Sequence, residues 1–130
     1  MSWVTDKAAI TSAMTTLEYT EIPNKLSPKE APNMLNHKKY TISLGDPQIT
    51  QMTNNAEIQI DRVRIEINYL QKDNAAFDAN YDLLKGVYNA IKALPLYISP
   101  IGRGFYFERY AENVNASIGV IEVYYGQNTN

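Results

Sequence analysis

The sequence contains no cysteine, which excludes several kinds of chemistry at once. Disulfide bridges, thiolate nucleophiles and sulfur-ligated zinc all require that residue. Histidine occurs only once, as His37, and no serine or aspartate beside it suggests a nucleophilic triad. A histidine next to Lys38 and Lys39 is typical of an ordinary surface loop. The sequence therefore predicts no catalytic residue, no metal ligand and no cofactor.

The chain also lacks long apolar runs and an excess of positive charge. No stretch approaches 18 apolar residues, and the amino terminus has neither the basic segment nor the apolar core of a signal peptide. We expect an intracellular protein at synthesis, with no membrane partner. The net charge of −2 and the pI near 5.3 argue against tight wrapping of nucleic acid, which needs a basic face.

What remains has the composition of a globular domain. The chain has 130 residues, 45% hydrophobic and 20% charged, which suits one domain and is far from the signature of disorder. Residues 1–130 are expected to form that single domain.

Alternating apolar residues predict strands in two places before the middle of the chain. Residues 38–44 alternate and then meet Gly45–Pro47, which end the strand. Residues 57–70 alternate more strongly, but the apolar positions change from even to odd numbers. We expect a bulge or bend at Asp61 and Arg62 to absorb this change of phase. The opposite side of residues 62–70 is polar, so it is either solvated or in contact with a polar partner.

Helical spacing appears twice. Thr5 or Asp6 is expected to cap a short first helix, which ends before Pro23. Asp73 or Asn74 is expected to cap a second helix that Pro95 ends. Their apolar stripes consist of Ile10, Met14 and Leu17 in the first helix, and of Phe77, Tyr81, Leu84, Tyr88 and Ile91 in the second.

Two further strands, residues 105–112 and 117–125, are predicted to form a hairpin. The last strand has apolar residues on both sides. This predicts that it is central in the sheet, or that a neighbouring chain covers one side. The expected order is helix, strand, strand, helix, strand, strand. We predict an α+β fold, with an antiparallel-rich sheet of about four strands and two helices on one face. The polar connections 23–37 and 45–56 are predicted to be disordered in a monomer, or to be arms in an assembly.

Several residues that suggest chemistry have simpler explanations. Asp73, Asp78 and Asp82 suit the amino-terminal half of a helix better than a calcium loop. Gly102–Gly104 precede a strand and lack the spacing of a phosphate-binding loop. The glycosylation sequon at Asn115 has no secretory signal to make it relevant.

Tyrosine is plentiful, with ten copies. Strand tyrosines pack their rings while their hydroxyl groups stay in water, and they are also enriched at protein interfaces. The sequence leaves both interpretations open.

The pattern of elements resembles the tail terminator proteins of long-tailed bacteriophages, also called minor tail or tail completion proteins. The resemblance depends on the chain length, the short first helix and three segments: "RVRIEINYL", "NAAFDANYDLLKGVYNAIKAL" and "FYFERYAENVNASIGVIEVYYG". It implies a small subunit that forms a hexameric ring on the finished tail tube, stops tube polymerisation and faces the head connector. The family has no catalytic residues that could be assigned to positions in this chain.

The resemblance implies that the partners are other copies of the chain, the tail tube protein and the head–tail connector. DNA would pass through the ring without specific binding. The expected location is the tail or neck of the virion, and the host cytoplasm during assembly. Candidate interface residues are Tyr40, Ile42, Tyr106, Tyr110, Tyr124 and Tyr125; candidates for the lumen are Glu108, Glu112 and Glu122.

Three alternatives remain open. The chain is another neck or connector protein, a small ligand-binding α+β domain with a tyrosine-lined apolar pocket, or an enzyme that uses Tyr and Glu as acid and base. Nothing in the sequence brings such a pair together.

Overall fold

The fold combines two helices with a mixed sheet. The computed structural model describes residues 3–45, 48–53, 56–94 and 104–128, and the side chains within 3–45, 62–94 and 104–123. The helices are α1 (Trp3–Thr16) and α2 (Asn74–Lys92), and one 3₁₀ turn spans Met34–Asn36. The strands are β1 (Thr20–Glu21), β2 (Lys39–Leu44), β3 (Gln48–Thr53), β4 (Ala56–Leu70), β5 (Phe105–Arg109) and β6 (Ala116–Asn128). The predicted α+β class is confirmed.

The strands form one six-stranded sheet, in which five strands have the order β1-β2-β4-β6-β5 and β3 pairs with β4 off this path. Only β1 and β2 run parallel, and every other pair is antiparallel. Strand β6 occupies one edge of β4 and pairs with residues 58–70 of that strand. Strands β2 and β3 therefore both pair with the other edge of β4. The predicted central position of the last strand is confirmed, and the predicted number of about four strands is approximate, since the described sheet has six.

Strand β4 is continuous, and the predicted bulge at Asp61 and Arg62 is wrong. The pairing of β4 with β6 runs without a shift from Ile58 opposite Asn128 to Leu70 opposite Ala116. A shift of register occurs instead in the pairing of β3 with β4, between Gln51 and Thr53. The change of phase in the sequence is therefore accommodated without an inserted residue in β4.

Both helices contribute to one core on a single face of the sheet. The inward side chains of β4 pack with those of α1, α2, β2 and β6. The core residues are Ile10, Met14, Tyr19, Tyr40, Val63, Ile65, Ile67, Tyr69, Leu84, Val87, Tyr88, Ile91, Ile121 and Val123. Within it, the hydroxyl groups of Tyr19 and Tyr69 form a hydrogen bond of 2.7 Å. Burial raises the pKa of both hydroxyl groups.

Helix α1 begins before its predicted cap. Thr5 and Asp6 lie inside the helix, and Asp6 is buried. The apolar stripe is confirmed for Ile10 and Met14, whereas Leu17 lies beyond the last helical turn and is partly exposed. Neither described helix is long and apolar enough to cross a membrane.

Helix α2 follows its prediction closely. Asp73 is the N-cap, and its Oδ1 accepts a hydrogen bond of 2.9 Å from the Ala76 backbone N–H. The second half of the stripe is buried, while Phe77 and Tyr81 in the first half keep 37% and 42% of their surface exposed. The helix ends at Lys92, and the predicted stop at Pro95 lies outside the described residues.

The two predicted loops differ in outcome. Strand β3 lies within residues 45–56, which were predicted to be a polar loop. The backbone of β3 pairs with β4. The weak apolar pattern of these residues does not predict that pairing. The segment 23–37 is irregular as predicted, but it is packed on the sheet of its own chain instead of being disordered.

Candidate functional site on the outer face of the sheet

The face of the sheet opposite the helices, called here the outer face, collects charged residues from three strands. The even-numbered residues from Arg64 to Asn68 of β4 point to this face, and Arg64 lies directly opposite Glu122 of β6. The pairing of β5 with β6 adds Tyr106 and Glu108 on the same side. Alternation along each strand and the antiparallel register together bring these residues into contact.

Arg64 is the centre of this group. Its Nε donates to Glu66 Oε1 at 2.9 Å, its Nη2 donates to Glu108 Oε1 at 3.0 Å, and its Nη1 donates to Glu122 Oε1 at 2.8 Å. Nη1 also contacts the Tyr106 hydroxyl oxygen at 3.0 Å, and that hydroxyl donates to Glu122 Oε1 at 2.8 Å. We call these five residues the Arg64 network.

The Arg64 network is rich in negative charge. One arginine faces three carboxylates, which leaves −2, and Lys25, whose Nζ lies 3.6 Å from Glu66 Oε2, reduces this to −1. Burial tends to lower the pKa of Arg64, but its hydrogen bonds to Glu66, Glu108 and Tyr106 raise that pKa above the ordinary value. The arginine therefore stays charged throughout the accessible pH range.

The contact between Tyr106 and Glu122 is the Tyr–Glu pair that the enzyme alternative requires. Burial, followed by the hydrogen bond to Glu122, raises the pKa of Tyr106. A raised pKa makes the hydroxyl a weaker acid, and the carboxylate oxygen of Glu122 already accepts from both Tyr106 and Arg64. This geometry suits a fixed structural contact better than proton transfer.

The Arg64 network also shields apolar residues of the outer face. Val120 lies between Glu66 on β4 and Tyr106 on β5, and it is fully buried. Ile118 is buried beside it, next to Ile22 and Leu26. These two residues belong to the irregular stretch of residues 22–37, called here the 22–37 segment. Long polar side chains cover apolar surface with their aliphatic or aromatic parts while their polar ends stay near water.

Asn68 attaches the 22–37 segment to the outer face. Its Nδ2 donates to the backbone oxygens of Ala31 at 2.9 Å and Asn36 at 2.8 Å, and its Oδ1 accepts from the Tyr110 hydroxyl at 2.6 Å. Asn68 and Ala31 are both buried. Burial, with the charge of Glu66 as a smaller cause, raises the pKa of Tyr110 to about 12.

His37 has a structural role that the sequence did not predict. Its Nδ1 accepts a hydrogen bond of 3.1 Å from the Leu70 backbone N–H, and its ring contacts the ring of Tyr69 at 5.8 Å. Burial, followed by the nearby charge of Lys38, lowers the pKa of His37. The neutral histidine therefore satisfies the Leu70 N–H at the end of β4, two residues before β2 begins.

The predicted interface and lumen residues occupy different environments. Tyr40 is only 1% exposed, so it belongs to the core and leaves no surface for a neighbouring chain. Ile42 packs partly buried against the core. Tyr106 and Tyr110 lie on the outer face, with their hydroxyl groups bonded as described above. The side chains of Tyr124 and Tyr125 lie outside the described residues.

Glu108 and Glu122 are brought together by Arg64, whereas Glu112 is exposed in the turn between β5 and β6 and lies apart from them. Sequence reasoning identified a polar face from Arg62 to Asn68 but not the contacts within it. The register of β4 with β6 was the missing information, since it alone places Arg64 opposite Glu122.

The remaining candidates stay separate. Asp78 and Asp82 are exposed on α2, and among the described residues there is no group of three or more His, Asp or Glu side chains positioned to hold a metal ion. Gly102 and Arg103 lie outside the described residues, while Gly104 precedes β5 with a φ of 79°. A cleft of about 510 Å³ between residues 71–74 and 109–117 is lined mainly by polar side chains, unlike the apolar pocket of the ligand-binding alternative.

No protein-family model matches this sequence, and a search of curated proteins finds no match to it.

Proposed function

We propose that the chain is a structural subunit of a phage tail terminator: a ring of copies on the end of the tail tube that stops tube growth and faces the head connector. The observation that supports this most is the free edge of β3. Its residues, "QITQMT", contain no charge and no proline, and β3 pairs only with β4 among the described strands. Monomeric proteins usually protect such edges with charges, proline or a covering element.

An edge strand of this kind suits a docking role. Unpaired backbone N–H and C=O groups bind a strand of another protein and extend its sheet. We assign the β3 edge to the tube end, because a terminator must occupy the contact that the next tube ring would use. The edges of β5 and of the two-residue strand β1 also lack a partner among the described strands.

The outer face supports the second part of the proposal. A channel for DNA is best lined by fixed negative charge, since a basic lining would hold phosphates. The Arg64 network supplies such a surface, with Glu108 and Glu122 held in place by hydrogen bonds. We assign this face to the lumen.

The proposal is tested with purified protein and tail tubes assembled from the tube protein of the same virus. Sedimentation and native mass spectrometry should show a closed oligomer, which we expect to be a hexamer, alone or with tubes. Electron microscopy should show a ring at one end of each tube, and added tube protein should no longer lengthen it. A protein that stays monomeric at high concentration and leaves tube growth unchanged would overturn the proposal.

A further inference from the structure

Two apolar surfaces that stay at least partly exposed among the described residues lie on different parts of the subunit. The first, the apolar tip, consists of Met34 and Leu35 in the 3₁₀ turn, with 79% and 80% of their surface exposed. The second, the aromatic surface, lies where α2 packs beside β5 and consists of Phe77, Tyr81, Phe105 and Phe107. Large apolar side chains in contiguous, exposed positions are typical of protein interaction sites.

The apolar tip is held rigidly by its own segment. Ser27 and Glu30 exchange hydrogen bonds between side chain and backbone, at 3.1 and 3.3 Å. Asn33 Oδ1 accepts from the Leu35 backbone N–H at 2.9 Å, and Asn36 Nδ2 donates to the Glu30 backbone oxygen at 2.9 Å. With Asn68 fixing the segment to the sheet, the tip loses little conformational freedom on binding, and this favours affinity.

The aromatic surface is equally well ordered. The rings of Phe77 and Phe107 lie 5.2 Å apart, and those of Tyr81 and Phe105 lie 5.6 Å apart, all in tilted pairs. Phe77 and Tyr81 are one helical turn apart and remain over one third exposed. A methionine thioether and a leucine side chain both pack favourably against the faces and edges of aromatic rings.

The charges around the two surfaces are opposite. Residues 22–39 contain four lysines and one glutamate, a balance of +3, whereas residues 73–84 contain three aspartates and no basic residue, a balance of −3. Among the described residues, Lys29 and Lys39 take part in no ion pair, and neither do Asp78 and Asp82. Complementary charge of this kind guides association and fixes its orientation.

The two surfaces belong to different parts of the fold. The apolar tip precedes β2 and lies with the segment that covers the outer face, while the aromatic surface lies at the β5 edge on the helix side. A contact between them joins unlike surfaces of two copies, and repetition of such a contact gives a ring when the rotation closes.

We propose that the apolar tip of one copy binds the aromatic surface of the next copy, with the lysines of residues 22–39 facing the aspartates of α2. The inference rests on the proposed ring and names the contact between its neighbouring subunits.

Engineered cysteines test this contact, because the chain has no cysteine of its own. A Leu35→Cys/Tyr81→Cys variant, oxidised at high protein concentration, should give a ladder of disulfide-linked chains that ends at the size of the ring. Leu35→Cys and Tyr81→Cys proteins mixed in equal amounts should give only a linked dimer. The control is Leu35→Cys/Val4→Cys, since Val4 is 75% exposed and belongs to neither surface.

Linked products no more abundant than in that control would overturn the contact. Dimers from Leu35→Cys alone would also overturn it, since they would mean that like surfaces meet. The same variants are tested for tube capping under reducing conditions. Capping without a ladder would refute this contact and leave the ring function standing, whereas a wild-type chain that neither assembles nor caps would refute the ring itself.

Charge reversal provides a second measurement. In the Leu35→Cys/Tyr81→Cys background, Lys29→Glu or Asp78→Lys alone should remove most of the ladder, because each puts like charges at the contact. Both changes in one chain should restore it. A combined variant as poor as the single ones would show that these two surfaces do not face each other.

Discussion

At the scale of single residues, Asn68 links two parts of the chain that are distant in sequence. We predict that Asn68→Asp destabilises the fold, because it removes both donors to the Ala31 and Asn36 carbonyls and places a negative charge beside them. A buried polar group left without its partner costs about 1–3 kcal/mol. Urea unfolding measures this loss, and limited proteolysis should show earlier cleavage within residues 22–37.

The matched control for this change is Asn113→Asp, which makes the same substitution at an exposed position in the turn after β5. Its free energy of unfolding should stay within about 0.5 kcal/mol of the wild-type value. If Asn68→Asp unfolded at the same urea concentration as the control, Asn68 would not be what holds the segment.

His37 gives the fold a pH dependence near neutrality. Its folded-state pKa is lowered from the ordinary value of 6.5, so above pH 6.5 both folded and unfolded states are neutral and stability does not change. Below that pH the unfolded chain binds a proton more readily, and protonation of Nδ1 also removes the acceptor for Leu70 N–H. The free energy of unfolding should therefore fall as the pH drops from about 6.5 towards 5.

His37→Asn separates this effect from the titration of carboxylates. Asparagine offers an acceptor near the position of Nδ1 but does not titrate, and His37 is the only histidine. The variant should show a flatter pH profile between about 6.5 and 5. Identical slopes for the two proteins would mean that His37 is not the titrating group.

At the scale of the elements, α2 is anchored by the buried half of its stripe. Leu84 is fully buried, and we predict that Leu84→Ala costs about 2–5 kcal/mol by leaving a cavity. The neighbouring Leu83 has 38% of its surface exposed, so Leu83→Ala is the matched control and should cost under about 1 kcal/mol. Chemical denaturation compares the two, and equal losses would mean that the buried face of α2 is misassigned.

The Arg64 network connects β4, β5 and β6 through ion pairs and hydrogen bonds. Arg64→Gln leaves Glu66, Glu108 and Glu122 close together without their common cation, so their negative charges repel one another. We expect a loss of about 1–2 kcal/mol at pH 7, a modest figure because the network is partly exposed to solvent. The loss should shrink at high salt, because salt screens the repulsion among the three carboxylates.

Thermal unfolding at low and high salt concentration measures this trend. Arg109→Gln, at the exposed end of β5, changes the net charge equally and should lack the salt-dependent loss. A difference between Arg64→Gln and wild type that is the same at both salt concentrations would argue against mutual repulsion of the three carboxylates.

Local patterns predict some of these elements well and others poorly. Asp73, Leu84 and Ile91 follow rules of capping and helical spacing that act within a few residues, and α2 matches its prediction. Strand β3 and the Arg64–Glu122 contact depend on pairing with β4 across the sheet, and Asn68 depends on a segment more than 30 residues away. Such long-range contacts leave little trace in a single sequence.

At the scale of the whole molecule, the proposed function needs separate surfaces for the neighbouring copy and for the tube. The apolar tip and the aromatic surface serve the first, and the β3 edge serves the second. We predict that Thr50→Lys, which puts a charge into the uncharged edge strand, leaves the fold and the ring intact but abolishes tube capping. Lysine in an edge strand opposes the approach of another strand.

Circular dichroism and sedimentation check the fold and the ring of this variant, and electron microscopy of tube ends checks capping. Thr15→Lys, an exposed substitution on α1, adds the same charge elsewhere and should cap tubes as the wild type does. A Thr50→Lys protein that caps normally would move the tube contact away from β3. Loss of the ring and of capping together would instead place this edge between copies, so the two surfaces are distinguished by which assembly step fails.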